Sequence, residues 1–225
     1  FRDKRLRTSI SISIGDQTFV VDTGPDFRQQ MLRERISRVD AILLTHAHRD
    51  HTAGMDDVRA YNFLHNMDMP VYGVQEVLDQ IRTEYAYAFA EKYYPGIPRF
   101  VLRLVDNEPF QVNGIEIIPL HVLHLRLPVM GFRIGDFSYI TDAKFIPEET
   151  MQRLKGTRTL VLNALQKEEH ISHFNLKEAI EMVERIKPQR AYFTHMSHKL
   201  GLHRNVSEEL PENISLAYDG LQLTL

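Results

Sequence analysis

The chain has 225 residues, 43% of them hydrophobic and 25% charged, with a net charge of −3, 11 His and no Cys. That size and apolar content suit a globular chain with a real core. No apolar run reaches the roughly 18 residues of a membrane span, no thiol is present for disulfides or thiolate metal sites, and the negative balance argues against a non-specific nucleic-acid binder.

The opening FRDKRLRTS lacks the apolar core of a signal peptide. TSISISIG alternates polar and apolar residues and predicts a half-buried strand. A turn at Gly15-Asp16 leads into a second strand, QTFVVDTG, ending in Asp22 and Gly24. Residues 26–35 read as a short polar helix, and VDAILLT as a buried strand that delivers LLTHAHRDH. TAGMDDVRAYNFLHN enters a helix, and VYG is a short strand. VQEVLDQIRTEYAYAFAEKYY is helical by periodicity and stops at Pro95-Gly96. RFVLRLV, PFQVNGIEIIPLHVLH and MGFRIGDFSYITDA give four or five strands with turns at Asn113-Gly114 and Gly135-Asp136. PEETMQRLKG is a helix, TRTLVLNAL a buried strand, NLKEAIEMVERIKP an amphipathic helix and RAYFTHMSH a strand ending in His. The tail ISLAYDGLQLTL closes with strands. One α/β domain over residues 1–225, with two sheets covered by outer helices, is the economical reading.

The chemistry concentrates at strand ends. His46, His48, Asp50 and His51 lie within six positions, straight after an apolar run. Residues two apart on extended backbone point the same way, so His46 and His48 can reach one ion together. A turn after Ala47-His48 lets Asp50 and His51 face a second point. Zinc takes imidazole nitrogens and carboxylate oxygens, usually four at a time. So short a stretch cannot saturate one catalytic ion, and a pair of ions completed by distant ligands fits better. His121 and His124, Asp142 and His195 each close a further apolar strand, at the carboxyl edge where open α/β sheets bind ligands.

THAHRDH (45–51) matches the T-H-x-H-x-D-H signature of the metallo-β-lactamase superfamily, and the order His124, Asp142, His195 resembles that family's remaining ligands. GMDDVR, LPVMGFRI, YITDA and FTHMSH look like the branch of PhnP-type phosphodiesterases and ribonuclease Z. The resemblance implies a four-layer αββα sandwich of two mixed sheets with outer helices. It places His46, His48 and His124 on one divalent ion (Zn²⁺ or Mn²⁺) and Asp50, His51 and His195 on a second. Asp142 would bridge the two with a hydroxide, and Asp50 would also serve catalysis. His124 is preferred to His121 because HLRLPVMGF resembles the family's H-x-x-x-P-x-x-G stretch; His121 then has a supporting or surface role.

Asp22 would orient a ligating His, or close an Asx turn before Gly24. In EEHISHFN, His173 is assigned as general acid, with His170 as the alternative. Ser172 and Asn175 would cap the following helix. His198 resembles the His that joins an N-terminal Cys-rich segment on a structural zinc; with no Cys here, either that segment is missing from this chain or the protein lacks the site, and the start at FRDKRLRTS favours a missing segment. His65 and His203 carry no motif and are expected at the surface. Arg59 or Arg126 would steady a phosphate. The implied function is a dinuclear metal phosphodiesterase acting on a small, cyclic nucleotide or sugar phosphodiester. The alternatives are a tRNA 3′-processing endonuclease and a non-catalytic metal-binding module. A small-molecule substrate, no membrane partner, a cytoplasmic location and an open question of homodimerisation complete the expectation.

Overall fold

The alternating ISISI stretch forms β1 (Ile10–Ile14), its isoleucines half-buried and its serines exposed, in a computed structural model that describes residues 2–90 and 95–225. Gly15, with φ of 61°, supplies the left-handed residue that a two-residue hairpin needs before β2 (Gln17–Val21). The chain forms two compact units, one spanning Leu6–Asp106 and the other Asn107–Leu225 with the opening residues through Arg5.

In the first unit, α1 (Phe27–Arg33), β3 (Ala41–Leu43), α2 (Arg49–Thr52), α3 (Arg59–His65), β4 (Met69–Gly73), α4 (Gln75–Glu84) and β5 (Phe100–Leu104) follow. A mixed five-stranded sheet runs in the order β1-β2-β3-β4-β5. Only β1 and β2 are antiparallel; β2 through β5 run parallel. Every residue of β3 is buried, as expected of a parallel strand covered on both faces. Phe27, Met31, Tyr61, Val77 and Ile81 from the helices pack with Val20, Ile42 and Val71 from the sheet. The parallel register of Val21 with Leu43 brings the carboxyl ends of β2 and β3 side by side, which sets up the site described below.

Two expectations change here. The segment expected to enter a helix after the histidines is helical from Arg49, so His51 lies within α2. It is then broken at Gly54 into a 3₁₀ turn (Met55–Val58) and α3. The long helix expected up to Pro95 ends at Glu84 and gives way to a 3₁₀ turn (Ala86–Phe89). Its cause is tertiary: Tyr85 turns inward and donates its hydroxyl to the Thr52 carbonyl at 2.9 Å. Residues 91–94 of that expected helix lie outside the described residues.

The second unit contains β6 (Phe110–Val112), β7 (Ile115–His124), β8 (Leu127–Ile134), β9 (Phe137–Tyr139), α5 (Glu148–Arg153), β10 (Thr159–Asn163), α6 (Leu176–Ile186), β11 (Arg190–Thr194), α7 (His203–Ser207) and β12 (Ile214–Leu216). Its mixed seven-stranded sheet has the order β12-β11-β10-β9-β8-β7-β6. The half from β9 to β12 is parallel, so its carboxyl ends share one edge. Asn113 and Gly114, both left-handed, close the β6–β7 hairpin. Helix α6 begins with a capping box between Asn175 and Glu178 and ends at Lys187 in left-handed backbone, one residue before Pro188. It buries Leu176, Ala179, Met182 and Val183 in a core shared with Leu160, Leu162 and Phe193. The tail yields one strand, β12; the alternating LQLTL segment forms no strand among the described residues.

His203, expected at the surface, is buried. Arg5 lies 3.1 Å from its Nδ1 and Arg2 lies 3.4 Å from its Nε2, while its backbone N–H donates to Asp3 Oδ1 at 2.7 Å. Arg2 also stacks 4.3 Å over the Tyr218 ring. Burial first, then the Arg5 and Arg2 charges, push the His203 imidazole below its ordinary range, against a smaller opposing effect of Asp3. The unfolded chain therefore takes up a proton here before the folded one does. This contribution to stability is present above the unfolded value of about 6.5 and is lost as pH falls from there toward the lowered folded value. His203→Gln should flatten the fall of the urea midpoint between neutral and mildly acid pH. An unchanged slope would contradict the assignment.

Candidate metal site

In the first unit the parallel ends of β2 and β3 place Asp22 beside the histidine motif. The Asp22 N–H donates to the Leu43 carbonyl at 3.0 Å, and the residue then leaves its strand through left-handed backbone, φ 62°. Its carboxylate is fully buried. Oδ1 accepts the Thr45 N–H at 2.8 Å; Oδ2 accepts the Thr45 hydroxyl at 2.8 Å and faces His51 Nδ1 at 2.7 Å. The Thr45 hydroxyl, its proton given to Asp22, is left to accept from His46 Nδ1 at 2.9 Å. This network assigns the Nδ1–H tautomer to both His46 and His51, so in both Nε2 is the nitrogen able to accept or to ligate. The ring centroids of His46 and His51 are 4.3 Å apart, and those of His46 and His48 are 4.6 Å apart. Asp50 Oδ2 lies 3.7 Å from His51 Nε2. The motif thus gathers four N and O donors, two of them tautomerically set for a cation.

Two glycines permit this packing. A Cβ on Gly24 would stand 2.3 Å from the Asp50 carbonyl oxygen, and one on Gly54 would stand 2.1 Å from the Gly24 carbonyl oxygen. The D-T-G turn and the helix after the histidines touch through bare backbone. The Gly54 N–H also donates to the Thr23 carbonyl at 2.8 Å.

In the second unit the parallel strand ends do the same work. Asp142 and His195 each follow a strand in left-handed backbone, φ 56° and 55°. Asp142 is buried; its Oδ2 accepts from Thr141 at 2.6 Å, and its Oδ1 faces His173 Nε2 at 3.0 Å and His195 Nε2 at 3.2 Å. His124 Nδ1 donates to the Ser172 carbonyl at 2.9 Å, which makes Nε2 its accepting nitrogen. His124, Asp142 and His173 offer ligand atoms within 4.8 Å of one another, so His173 has the reach of a ligand as well as of an acid. Asn163, at the end of β10, clamps the loop: it accepts the Ala143 N–H at 2.7 Å and donates to the Ala143 carbonyl at 2.9 Å.

His121 stands outside this group. Its environment comes from burial and from Arg153 and Glu149 of α5, and burial leads in lowering its pKa. His198 is exposed in a short 3₁₀ turn, and His65 is exposed with Nε2 2.8 Å from the Ser37 carbonyl. Arg59 pairs with Asp56 at 3.2 Å, and Arg126 is exposed beside Leu125 at the β7–β8 turn. Thr45, Thr141 and Asn163 are the supporting residues that sequence reasoning did not single out. Thr45 and Thr141 carried a signal, as members of THAHRDH and YITDA; Asn163 carried none.

Residues 17–196 match the Beta-lactamase superfamily domain. The chain belongs to the metallo-β-lactamase superfamily. Within the superfamily its likeness lies with the PhnP and ribonuclease Z branch. A solved structure described as a new diphosphatase from the PhnP family aligns with all of this chain and 86% of its own, with 34% identity and a TM-score of 0.92. A Porphyromonas gingivalis protein named octanoyltransferase is 40% identical over 223 residues, 98% of this chain and 45% of its own length. A ribonuclease Z of Parabacteroides distasonis is 23% identical over 168 residues, 68% of this chain and 53% of its own. The chain spans about half the length of these curated relatives. No helix among the described residues is long and apolar enough to cross a membrane.

Neutral imidazoles and carboxylates are the donor set of zinc and of other divalent ions, and each unit's cluster, part buried and part open to solvent, fits such an ion. The Asp22 network makes a specific prediction. Asn tolerates left-handed backbone as Asp does, but one amide end cannot accept from Thr45 and His51. Asp22→Asn should keep the fold and weaken metal binding by roughly 10–100-fold, read by competition with a chromophoric chelator. Unchanged affinity would contradict the orienting role.

Proposed function

We propose that this chain is a metal-dependent hydrolase of small phosphate esters, cleaving a phosphodiester with His173 as general acid. His46, His48 and His124 would hold one divalent ion, Asp50, His51 and His195 the other, and Asp142 both; this assignment follows the superfamily resemblance and the donor chemistry of the two clusters. The observation that carries the reading is the group of half-buried His124 with buried Asp142 and His173, in which the His173 Nε2 lies 3.0 Å from the carboxylate. When bound, a pair of divalent ions lowers the pKa of water and offsets charge on phosphate oxygens. The chain's own residues then do the rest. Asp22 and Ser172 orient the ligating rings, and His173 holds a proton at Nε2 for the departing alkoxide. A small substrate in a cytoplasmic setting suits the absence of Cys and the net negative charge.

A second reading has its own support. The 34%-identical PhnP-family neighbour is described as a diphosphatase, which favours a phosphoanhydride as the scissile group; the same acid would then protonate a phosphate leaving group. Transfer of RNA processing to this chain is disfavoured by the net charge of −3.

A turnover panel with Zn²⁺ or Mn²⁺ separates these. Bis(p-nitrophenyl) phosphate, 2′,3′-cyclic nucleotides, a nucleoside diphosphate sugar, precursor tRNA and an acyl thioester form its arms. At least one small phosphorus substrate should turn over. His173→Ala should lose roughly 100-fold or more on esters with poor leaving groups and far less on p-nitrophenyl esters. Turnover confined to the thioester would remove the hydrolysis of phosphorus esters.

A further inference from the structure

Arg7 has no part in the roles given above, yet its backbone is held on both sides. Its N–H donates to Asp26 Oδ2 at 2.8 Å, and its carbonyl accepts from Nε2 of buried Gln30 at 2.7 Å. Two residues on, Ser9 donates its hydroxyl to the Asp22 carbonyl at 2.9 Å. The segment therefore runs against the D-T-G turn, where a Cβ on Gly24 would stand 3.2 Å from the Arg7 Cβ. The side chain on this anchored backbone stays in solvent, 59% exposed. Its guanidinium reaches the histidine motif. Nη1 lies 3.6 Å from Asp50 Oδ2, and the same oxygen lies 3.7 Å from His51 Nε2. Arg49, the arginine of the motif itself, is instead bonded to Glu84 Oε2 at 2.7 Å.

We propose that Arg7 is a substrate-binding residue that holds a phosphate group beside Asp50; this rests on the reading of the chain as a hydrolase of phosphate esters. An ion pair at 3.6 Å between groups that water reaches is screened and loosely held. Asp50 Oδ2 is also the oxygen on the side of the His51 nitrogen able to ligate. Once that oxygen is given to a divalent ion, the guanidinium stands beside a second cation and short of a counter-charge. A phosphate restores the balance, because the planar fork of an arginine takes two of its oxygens side by side. The anchored backbone limits where the fork can reach, which reduces the freedom lost when an anion binds. Arg59, expected to steady a phosphate, is engaged with Asp56 at 3.2 Å.

Isothermal titration of the Zn²⁺-loaded protein with inorganic phosphate, its metal content fixed by elemental analysis, reads the contact without turnover. Arg7→Ala should weaken phosphate binding by roughly 10–100-fold. Arg7→Lys keeps the charge and loses the fork, so its affinity should fall between those of Arg7→Ala and the wild type. Asp26 and Gln30 hold the backbone of residue 7 and not its side chain, so both variants keep the anchored segment. On a phosphate ester that turns over, the loss should appear in KM rather than in kcat. An arginine that merely neutralises Asp50 gives a different pattern: Arg7→Ala would then bind Zn²⁺ more tightly and phosphate as the wild type does. Phosphate affinity unchanged in Arg7→Ala, or lost only together with the metal, would overturn the proposal. A wild type that hydrolyses phosphate esters, with Arg7→Ala indistinguishable from it, removes Arg7 alone. A wild type that binds phosphate through Arg7 and turns over no phosphate ester removes the hydrolase reading and leaves the phosphate contact standing.

Discussion

A carboxylate with no access to solvent, carried past the end of a strand by a left-handed residue, is the constraint on which the rest depends. Taking such a charge out of water costs several kcal/mol unless its lone pairs are filled. Asp22 fills them with the Thr45 N–H, the Thr45 hydroxyl and the His51 ring. Those partners are the start and the end of one short motif, so satisfying the carboxylate shapes the whole THAHRDH loop. The bare backbone contact of Gly24 with Asp50 then locks the loop against the turn that holds Asp22. Asp142 meets the same demand in the second unit, with Thr141, His173 and His195 around it.

Left-handed backbone at Asp22, Asp142 and His195 is the local cost of this arrangement, about 1–3 kcal/mol each by the usual measure of such conformations. Asp and His are among the side chains that tolerate it best. The sharp departure turns each side chain at the carboxyl edge of its own sheet. Parallel strands supply that edge because their carboxyl ends align. The fold and the cluster chemistry are in this sense one solution to one packing problem.

Much of this is legible in the amino-acid sequence. The ISISI alternation, the Asn113-Gly114 turn and the capped helix from Leu176 are local patterns with local causes, and each formed where the residues placed it. The strand-end positions of Asp22, Asp142 and His195 were readable because apolar runs stop there. What failed to show was non-local. The helix after Val74 ends early because Tyr85 finds the Thr52 carbonyl, 33 residues away in sequence. Asn163 clamps Ala143 across 20 residues, a pairing with no periodic signature. Asp22 remained ambiguous because an Asx turn and an oriented histidine ask for the same residue; only the identity of its partners separates them. His203 carries no motif, since its burial depends on Arg2 and Arg5 from the other end of the chain.

The central point of the proposal is that each unit's cluster takes part in binding metal and that the loaded chain carries two divalent ions. Elemental analysis of the Zn²⁺- or Mn²⁺-loaded protein, beside His51→Ala from one unit and His195→Ala from the other, tests it most directly. The account predicts two ions per wild-type chain and fewer in each variant. One ion or none in the wild type, or two in both variants, would contradict it.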